Sequence, residues 1–314
     1  MSDLRRPRKG SRAFRPRKRS ETQVATMFWP SRAESRILGF AGYKVGMTTI
    51  SYIDQTESPT KGQEITGAGT VLEVPPVYVY GIRGYNNGDI IGDTLTADES
   101  RLKDLGMKKA KKFELGEDKI DDVRLLVYTQ PDKTLIVKKH PERFELALGG
   151  KDAKVKLALA KTFLGKEIRA KDVFKAGEII DVVAITKGKG WQGAVKRFGS
   201  NLQRPKATGK RRHVGTLGQW HPSYVLYTAP QAGQTGYHKR TELNKSILKI
   251  SENIDEINPN GGFPHYGFVK NDFVVIKGSV PGPTKRLVKM RVSARDNGAF
   301  KEAKVTYMSN EPKQ

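Results

Sequence analysis

A mainly β body, interrupted by an α/β insertion and fitted with long basic extensions, is the architecture this 314-residue sequence predicts. Runs rich in Ile, Val, Tyr and Thr recur in three separated parts of the chain, which is the pattern of strands. Residues 86–177, after the first of these parts, are nearly balanced in charge and place apolar residues at helical spacing. After the second part comes a stretch of sixty residues, 182–241, with eleven Lys and Arg and no Asp or Glu.

In chain order, residues 1–35 read as a basic arm. Its first nineteen residues hold nine Lys and Arg against Asp3, and Pro7, Pro16 and Pro30 break any periodic pattern. Such a segment cannot bury enough surface to fold alone and is expected to order on a partner. Residues 36–85 are the first part of the β body: RILGFAGYKVGMTTISYID and GTVLEVPPVYVYGIRGY are strand-like and punctuated by Gly and Pro-Pro. In the insertion, 86–177, ADESRLKDLGMKKAKKFE and KDAKVKLALAKTF read as helices, with DVRLLVYTQ a strand between them. EIIDVVAIT makes 178–187 a further strand of the body. Residues 188–239 are a long acid-free loop, with nine glycines and only short apolar runs. Residues 240–293 return to the body: KRTELNKSILKI is a short helix or a helix-to-strand junction. GFVKNDFVVIKGSV and KRLVKMRVS then read as a pair of closing strands joined at Pro281-Gly282-Pro283. Residues 294–314 form a C-terminal tail.

The composition bounds the function. Lys and Arg number 57 against 33 Asp and Glu, a net charge of +24, while 37% hydrophobic residues are too many for a wholly disordered chain. Cysteine is absent, which removes disulfides, thiolate catalysis and cysteine-ligated metals together. No apolar run approaches the ~18 residues of a membrane-spanning helix. No apolar stretch follows the N-terminal charges, so no secretory signal is read there. Three segments, 1–19, 182–241 and 270–314, hold +25, and the remainder sums to −1. A solvated surface mixes both signs. Excluding every carboxylate for sixty residues instead points to a polyanion, against whose phosphates each acid would be repelled. An anionic membrane fits less well, because the basic residues alternate with Gly and Pro rather than lining an amphipathic helix.

Two enzyme signatures fail on inspection. Gly188-Lys189-Gly190-Trp191-Gln192-Gly193 matches the dinucleotide fingerprint G-x-G-x-x-G and follows a strand. The next acid, however, is Glu242, far beyond the ~20 residues at which a ribose-binding acid stands. A kinase loop would need later H-R-D and D-F-G motifs, and Asp272-Phe273 continues with Val274. The five histidines, 140, 213, 221, 238 and 265, show no metal-ligand spacing, and the His-rich region holds no acid to orient a triad. No catalytic residue, cofactor site or metal site is assigned.

Trp191, Phe198, Trp220, Tyr224, Tyr227 and Tyr237 are interleaved with the cations of the loop. Cations hold phosphates and aromatic faces stack on unpaired bases, a mixture that suits RNA better than duplex DNA. Tyr224 and Tyr227, in the strand-like SYVLYTA, could instead pack into the body. Trp220, between Gly218 and Pro222, is expected at a loop tip.

These residues carry a family likeness. FKAGEIIDVVAITKGKGWQGAVKR, residues 174–197, resembles the signature of the large-ribosomal-subunit protein number three family. Its spaced elements are Phe174, Asp181, Ala184, Thr186, Gly188, Lys189, Gly190, Gly193 and Arg197. LGFAGYKVGMTTI, AGQTGYHKRTELNKSI and GGFPHYGFVKNDFVVIKGSVPGPTKR resemble other blocks of that family, and the likeness runs from residue 7 to about residue 293. Length and the absence of a long C-terminal extension resemble the archaeal form.

The resemblance implies a six-stranded Greek-key β-barrel of the translation-protein type, whose extensions thread into ribosomal RNA. It implies a non-enzymatic constituent of the cytoplasmic large subunit that supports early assembly. The loop would reach toward the peptidyl-transferase centre and the A-site entrance, with Gly218, Gln219, Trp220 and His221 at its apex. The partners would be large-subunit RNA and neighbouring ribosomal proteins, with no membrane, no DNA and no second copy of the chain. The RNA-binding candidates in the arm are Arg5, Arg6, Arg8, Lys9, Arg12, Arg15, Arg17, Lys18 and Arg19. In and beside the loop they are Lys187, Lys189, Trp191, Lys196, Arg197, Arg204, Lys206, Lys210, Arg211, Arg212, His213, His238, Lys239 and Arg240, with Lys285 and Arg286 beyond. Two rivals share the charge map: an RNA-modifying or nucleotide-dependent enzyme cradling phosphate in GKGWQG, and a free-standing nucleic-acid chaperone.

Overall fold

The computed structural model describes residues 11, 14–107, 120–206, 209–295 and 303–311. The chain divides into two compact units, one of residues 22–185 and 240–314, the other of residues 1–21 and 186–239.

Strands form where β-branched and aromatic residues cluster. β1 (Gly39–Ile53) and β2 (Glu64–Glu73) pair antiparallel. The turn between them is organised by Asp54, whose carboxylate accepts hydrogen bonds from Thr56, Ser58 and Thr60. Pro75-Pro76 then stops the sheet, since proline has no N–H for a ladder. β3 (Val77–Asn86) and β4 (Asp89–Leu95) form a tight hairpin at Asn87-Gly88, both with positive φ (50° and 90°), as a two-residue type I′ turn requires. α1 (Glu99–Asp104) ends against Gly106, φ 71°. It is shorter than the expected helix, the rest of which runs into 108–119, outside the described residues. β5 (Asp122–Tyr128), β6 (Arg143–Ala147), α2 (Ala153–Phe163), β7 (Glu167–Ile168), α3 (Ala170–Val173) and β8 (Ile179–Ile185) follow. Then come β9 (Trp191–Gln192), α4 (Ala194–Phe198), β10 (Gly233–Gln234), β11 (Lys239–Ser251), β12 (Phe273–Lys277), β13 (Leu287–Val292) and β14 (Lys304–Met308).

The fold is mainly β. The largest sheet runs β13-β8-β11-β12-β2-β1-β14, and β1 also pairs with β13, with Gly39 opposite Arg291 and Tyr43 opposite Leu287. Its core is formed by Phe40, Ile50, Leu72, Ile180, Val182, Val274, Ile276, Val288 and Met290, all buried. A second sheet, β4-β3-β5-β6 with β7 on β3, carries α2 against β5, into which Leu157 and Ala160 turn their shared apolar face. Residues 36–85 thus serve two sheets, parting at Pro75-Pro76.

Three other expectations change. KRTELNKSILKI is strand β11 rather than helix, because pairing with β8 and β12 outweighs its mixed-charge helical pattern. The two closing strands do not pair with each other: β12 lies between β11 and β2, and β13 between β8 and β1. The C-terminal tail contributes β14, paired to the far end of β1.

Two buried carboxylates tie these strands to their loops. Glu73 accepts from the amides of Lys270 and Asn271, from the Asn271 side chain at 2.8 Å and from the Tyr266 hydroxyl. Asp181 accepts from Arg291, from the amide of Ala294 and from the amide of Asn244. Residues 22–35 of the presumed arm belong to this unit. Ala25 is buried, Lys289 Nζ donates to the Ala25 carbonyl at 3.1 Å, and Arg32 donates to the Ser293 carbonyl.

Candidate nucleic-acid interface

The unit formed by residues 1–21 and 186–239 concentrates the charge. It holds nineteen Lys and Arg against Asp3 and Glu21, so +17 of the chain's +24 resides there. Among its described residues the only acid is Glu21, and Lys18 pairs with it at 3.3 Å.

The glycine run of the loop builds its root. Thr186 and His238 close it, the Thr186 amide donating to the His238 carbonyl and the His238 amide to the Thr186 hydroxyl. The Lys189 amide then donates to the Thr235 carbonyl and the Thr235 amide to the Gly190 carbonyl, and β9 pairs with β10 in the register Gln192 to Gly233. Gly236 is obligatory here: its φ is 70°, and a Cβ would meet the Lys187 carbonyl at 2.0 Å. After Gly193 the chain makes only the five-residue α4, which Gly199 ends in the left-handed region. The glycines of GKGWQG therefore serve a turn and a close strand approach, and no amphipathic helix of dinucleotide-binding length follows them.

The described arm lies along this root. Arg15 stacks 4.9 Å from the Tyr227 ring centroid and donates to the Tyr227 carbonyl. Arg17 lies 4.5 Å from the Phe198 centroid, and Arg19 lies 5.3 Å from that of Tyr237. The Ser20 amide donates to the Tyr237 carbonyl at 2.9 Å, and His238 Nδ1 shares a 2.9 Å hydrogen bond with the Lys18 carbonyl. Three aromatics expected to receive bases thus carry arginines. The charge map gave no sign of this, since an arginine has the same charge over a ring as beside a phosphate. The every-other-residue spacing of Arg15, Arg17 and Arg19 was the available signal.

Arg197 stands at the centre of this arrangement. Its guanidinium lies 5.2 Å from the Phe198 centroid and donates to the carbonyls of Gln231 and Gln234. Burial, then the nearby charge of Arg15, holds its pKa below the usual arginine value. Sequence reasoning missed Gln231, Gln234 and Gly233, which position it.

The remaining candidates divide by place. Lys187, Lys189, Lys196, Arg204, Lys206, Lys210, Arg211, Arg212 and Lys239 are exposed, and His213 is half-buried. Gln203 and Arg211 bridge the loop through two hydrogen bonds. Trp191 and Trp220 are 74% and 86% exposed, and Trp220 meets His221 edge to face. Gly218, Gln219 and His221 are exposed beside Trp220. Tyr224 and Tyr227 are exposed and lie outside any strand, so the alternative of core packing does not hold for them. Arg240, Lys285 and Arg286 belong to the other unit. Burial lowers the pKa of Arg240, and the Lys285 amide donates to the Lys44 carbonyl. Arg5, Arg6, Arg8, Lys9 and Arg12 lie outside the described residues. Among the described residues no His, Cys, Asp and Glu cluster could hold a metal, and no helix is long and apolar enough to cross a membrane.

The chain can be set beside known proteins. A family model described as Ribosomal protein L3 matches residues 1–97 and 97–313. The chain is 45% identical to the large ribosomal subunit protein uL3 of Methanobrevibacter smithii, covering 98% of each. The same-named protein of Methanothermobacter thermautotrophicus is also 45% identical, over 98% of each chain. That of Methanocaldococcus jannaschii is 43% identical over 99% of this chain and 98% of its own.

Proposed function

The chain belongs to the ribosomal protein L3 family, and from that membership we propose that it is a structural constituent of the large ribosomal subunit, in the cytoplasm, anchored in the subunit's RNA. Members of this family are structural proteins rather than enzymes. One observation carries the RNA-binding reading: a unit of compact structure holds +17 and, among its described residues, a single acid.

The six strands β1, β2, β12, β11, β8 and β13, each paired to two others of the set, are the ones we read as the Greek-key barrel. In this reading the barrel anchors the protein while arm and loop neutralise phosphates that counterions cannot reach. The exposed cations Arg204, Lys206, Lys210, Arg211 and Arg212 position the loop without reading sequence. Trp191 and Trp220 keep open faces for unpaired bases, each stacking contact contributing about 1–3 kcal/mol. The loop apex, Gly218 to His221, reaches toward the peptidyl-transferase centre and the A-site entrance, and the protein joins the subunit early in its assembly beside neighbouring ribosomal proteins.

Binding of the full-length protein to transcripts of large- and small-subunit RNA, measured over a potassium chloride series, tests the proposal. Tighter binding to the large-subunit transcript with a steep salt dependence is expected. Equal or absent binding would contradict it.

A further inference from the structure

The basic unit contains a more specific feature than its net charge. Arg17 and Arg197 both lie against the Phe198 ring, at 4.5 and 5.2 Å from its centroid. Arg15 lies 4.9 Å from the centroid of the Tyr227 ring, close enough to Arg197 for the two charges to oppose each other. The nearest acid in the sequence on the arm side, Glu21, is paired with Lys18, and the loop has none. Like charges gathered without a carboxylate raise the energy of the free protein, and an anion placed among them relieves that cost.

The side chains are held rather than loose. A ring lies against each of Arg15, Arg17 and Arg197, and carbonyl acceptors engage their N–H groups: Tyr227 for Arg15, Ser11 for Arg17, Gln231 and Gln234 for Arg197. A guanidinium has five N–H donors, so these contacts on Arg15 and Arg197 leave others for a ligand. Gly233 makes room for the third arginine: a Cβ there would stand 2.6 Å from Arg197 Nη1 and 2.8 Å from Cζ. A planar, multi-donor cluster of this kind matches the oxygens of a phosphate better than ammonium groups would.

We infer that Arg17 and Arg197 against Phe198, with Arg15 beside them against Tyr227, form a preassembled site for one backbone phosphate of the RNA. The inference rests on the RNA-binding reading above and deepens it: the arm does not merely add charge but completes, with the loop, a geometrically fixed phosphate site. The rings of Phe198 and Tyr227 then act as supports for arginine, and base stacking falls to the open faces of Trp191 and Trp220.

The experiment measures binding of the full chain to large-subunit RNA across a potassium chloride series for the wild type and three variants. Arg15→Lys with Arg17→Lys keeps the charge and loses the flat stacked donors. Gly233→Ala keeps every charge and pushes the flexible end of Arg197 aside. Arg15→Ala with Arg17→Ala removes charge. The site predicts at least about fivefold weaker binding for the Lys and Gly233 variants with an unchanged salt slope, and for the Ala variant a slope smaller by about 0.7–0.9, the value of one phosphate contact. Thermal melts verify that each variant is folded. Wild-type affinity in both the Lys and the Gly233 variants would overturn the site while leaving RNA binding intact. A wild type that fails to bind the RNA would instead sink the functional proposal on which the site depends.

Discussion

Arg291 donates from both Nε, at 3.1 Å, and Nη2, at 2.9 Å, to a single carboxylate oxygen of Asp181, and both side chains are almost fully enclosed. The pair joins β13 to β8, and the same carboxylate also receives the amides of Ala294 and Asn244. It therefore ties strands from two distant parts of the sequence to the turn that follows β13. Removing one member of a buried pair leaves the other uncompensated, which costs about 3–5 kcal/mol. Asp181→Ala should lower the unfolding free energy by that order, read from the fall in the urea midpoint. Asp181→Leu with Arg291→Met should recover part of the loss but not all, because the two amides remain without their acceptor. Urea titrations of the three proteins provide the check.

Glu145 gives a pH prediction. Burial disfavours its charge, but hydrogen bonds from Tyr85, Arg124 and Arg83 outweigh burial and hold its pKa below the usual glutamate value. A carboxylate with a depressed folded-state pKa adds stability that is present above its unfolded pKa and is lost as pH falls through the folded one. The urea midpoint should therefore decline less steeply on acidification for Glu145→Gln than for the wild type, the two curves converging in acid. Parallel curves between pH 7 and pH 3 would show that this network does not contribute.

Trp220 is 86% exposed, so Trp220→Ala should leave stability within about 0.5 kcal/mol of the wild type. Its effect belongs to the assembled ribosome. Subunits should form in normal yield while A-site function changes. Loss of the subunits, or translation wholly unaltered, would contradict the apex assignment.

Arg211 and Arg212 are exposed in the acid-free loop. Replacing both with Glu puts like charge against phosphate, and the yield of large subunits in cells carrying only the variant should fall severalfold. Normal yield would remove these residues from the RNA-contacting set.

The strand content was legible because Val, Ile, Tyr and Thr cluster where strands form, as in Phe273–Lys277. Pairing was not, because partners are chosen across the whole chain: Leu287 opposes Tyr43, and nothing local to either predicts it. Lys239–Ser251 misled for a related reason. Its alternating exposed and half-buried residues carry charges spaced as in a surface helix, and only its neighbours β8 and β12 make it a strand. The acid-free loop announced its chemistry in composition. Its geometry stayed hidden, since charge alone does not distinguish Arg17 on a ring from Arg17 on a phosphate.

Sedimentation of the tagged protein from lysate through sucrose gradients at low and high salt tests the central claim most directly. A protein whose basic extensions are enclosed in RNA cannot release its phosphates one at a time, so it should travel with the large subunit under both conditions. Transfer to the top of the gradient at high salt would mark its binding as peripheral and electrostatic, and would contradict a structural role.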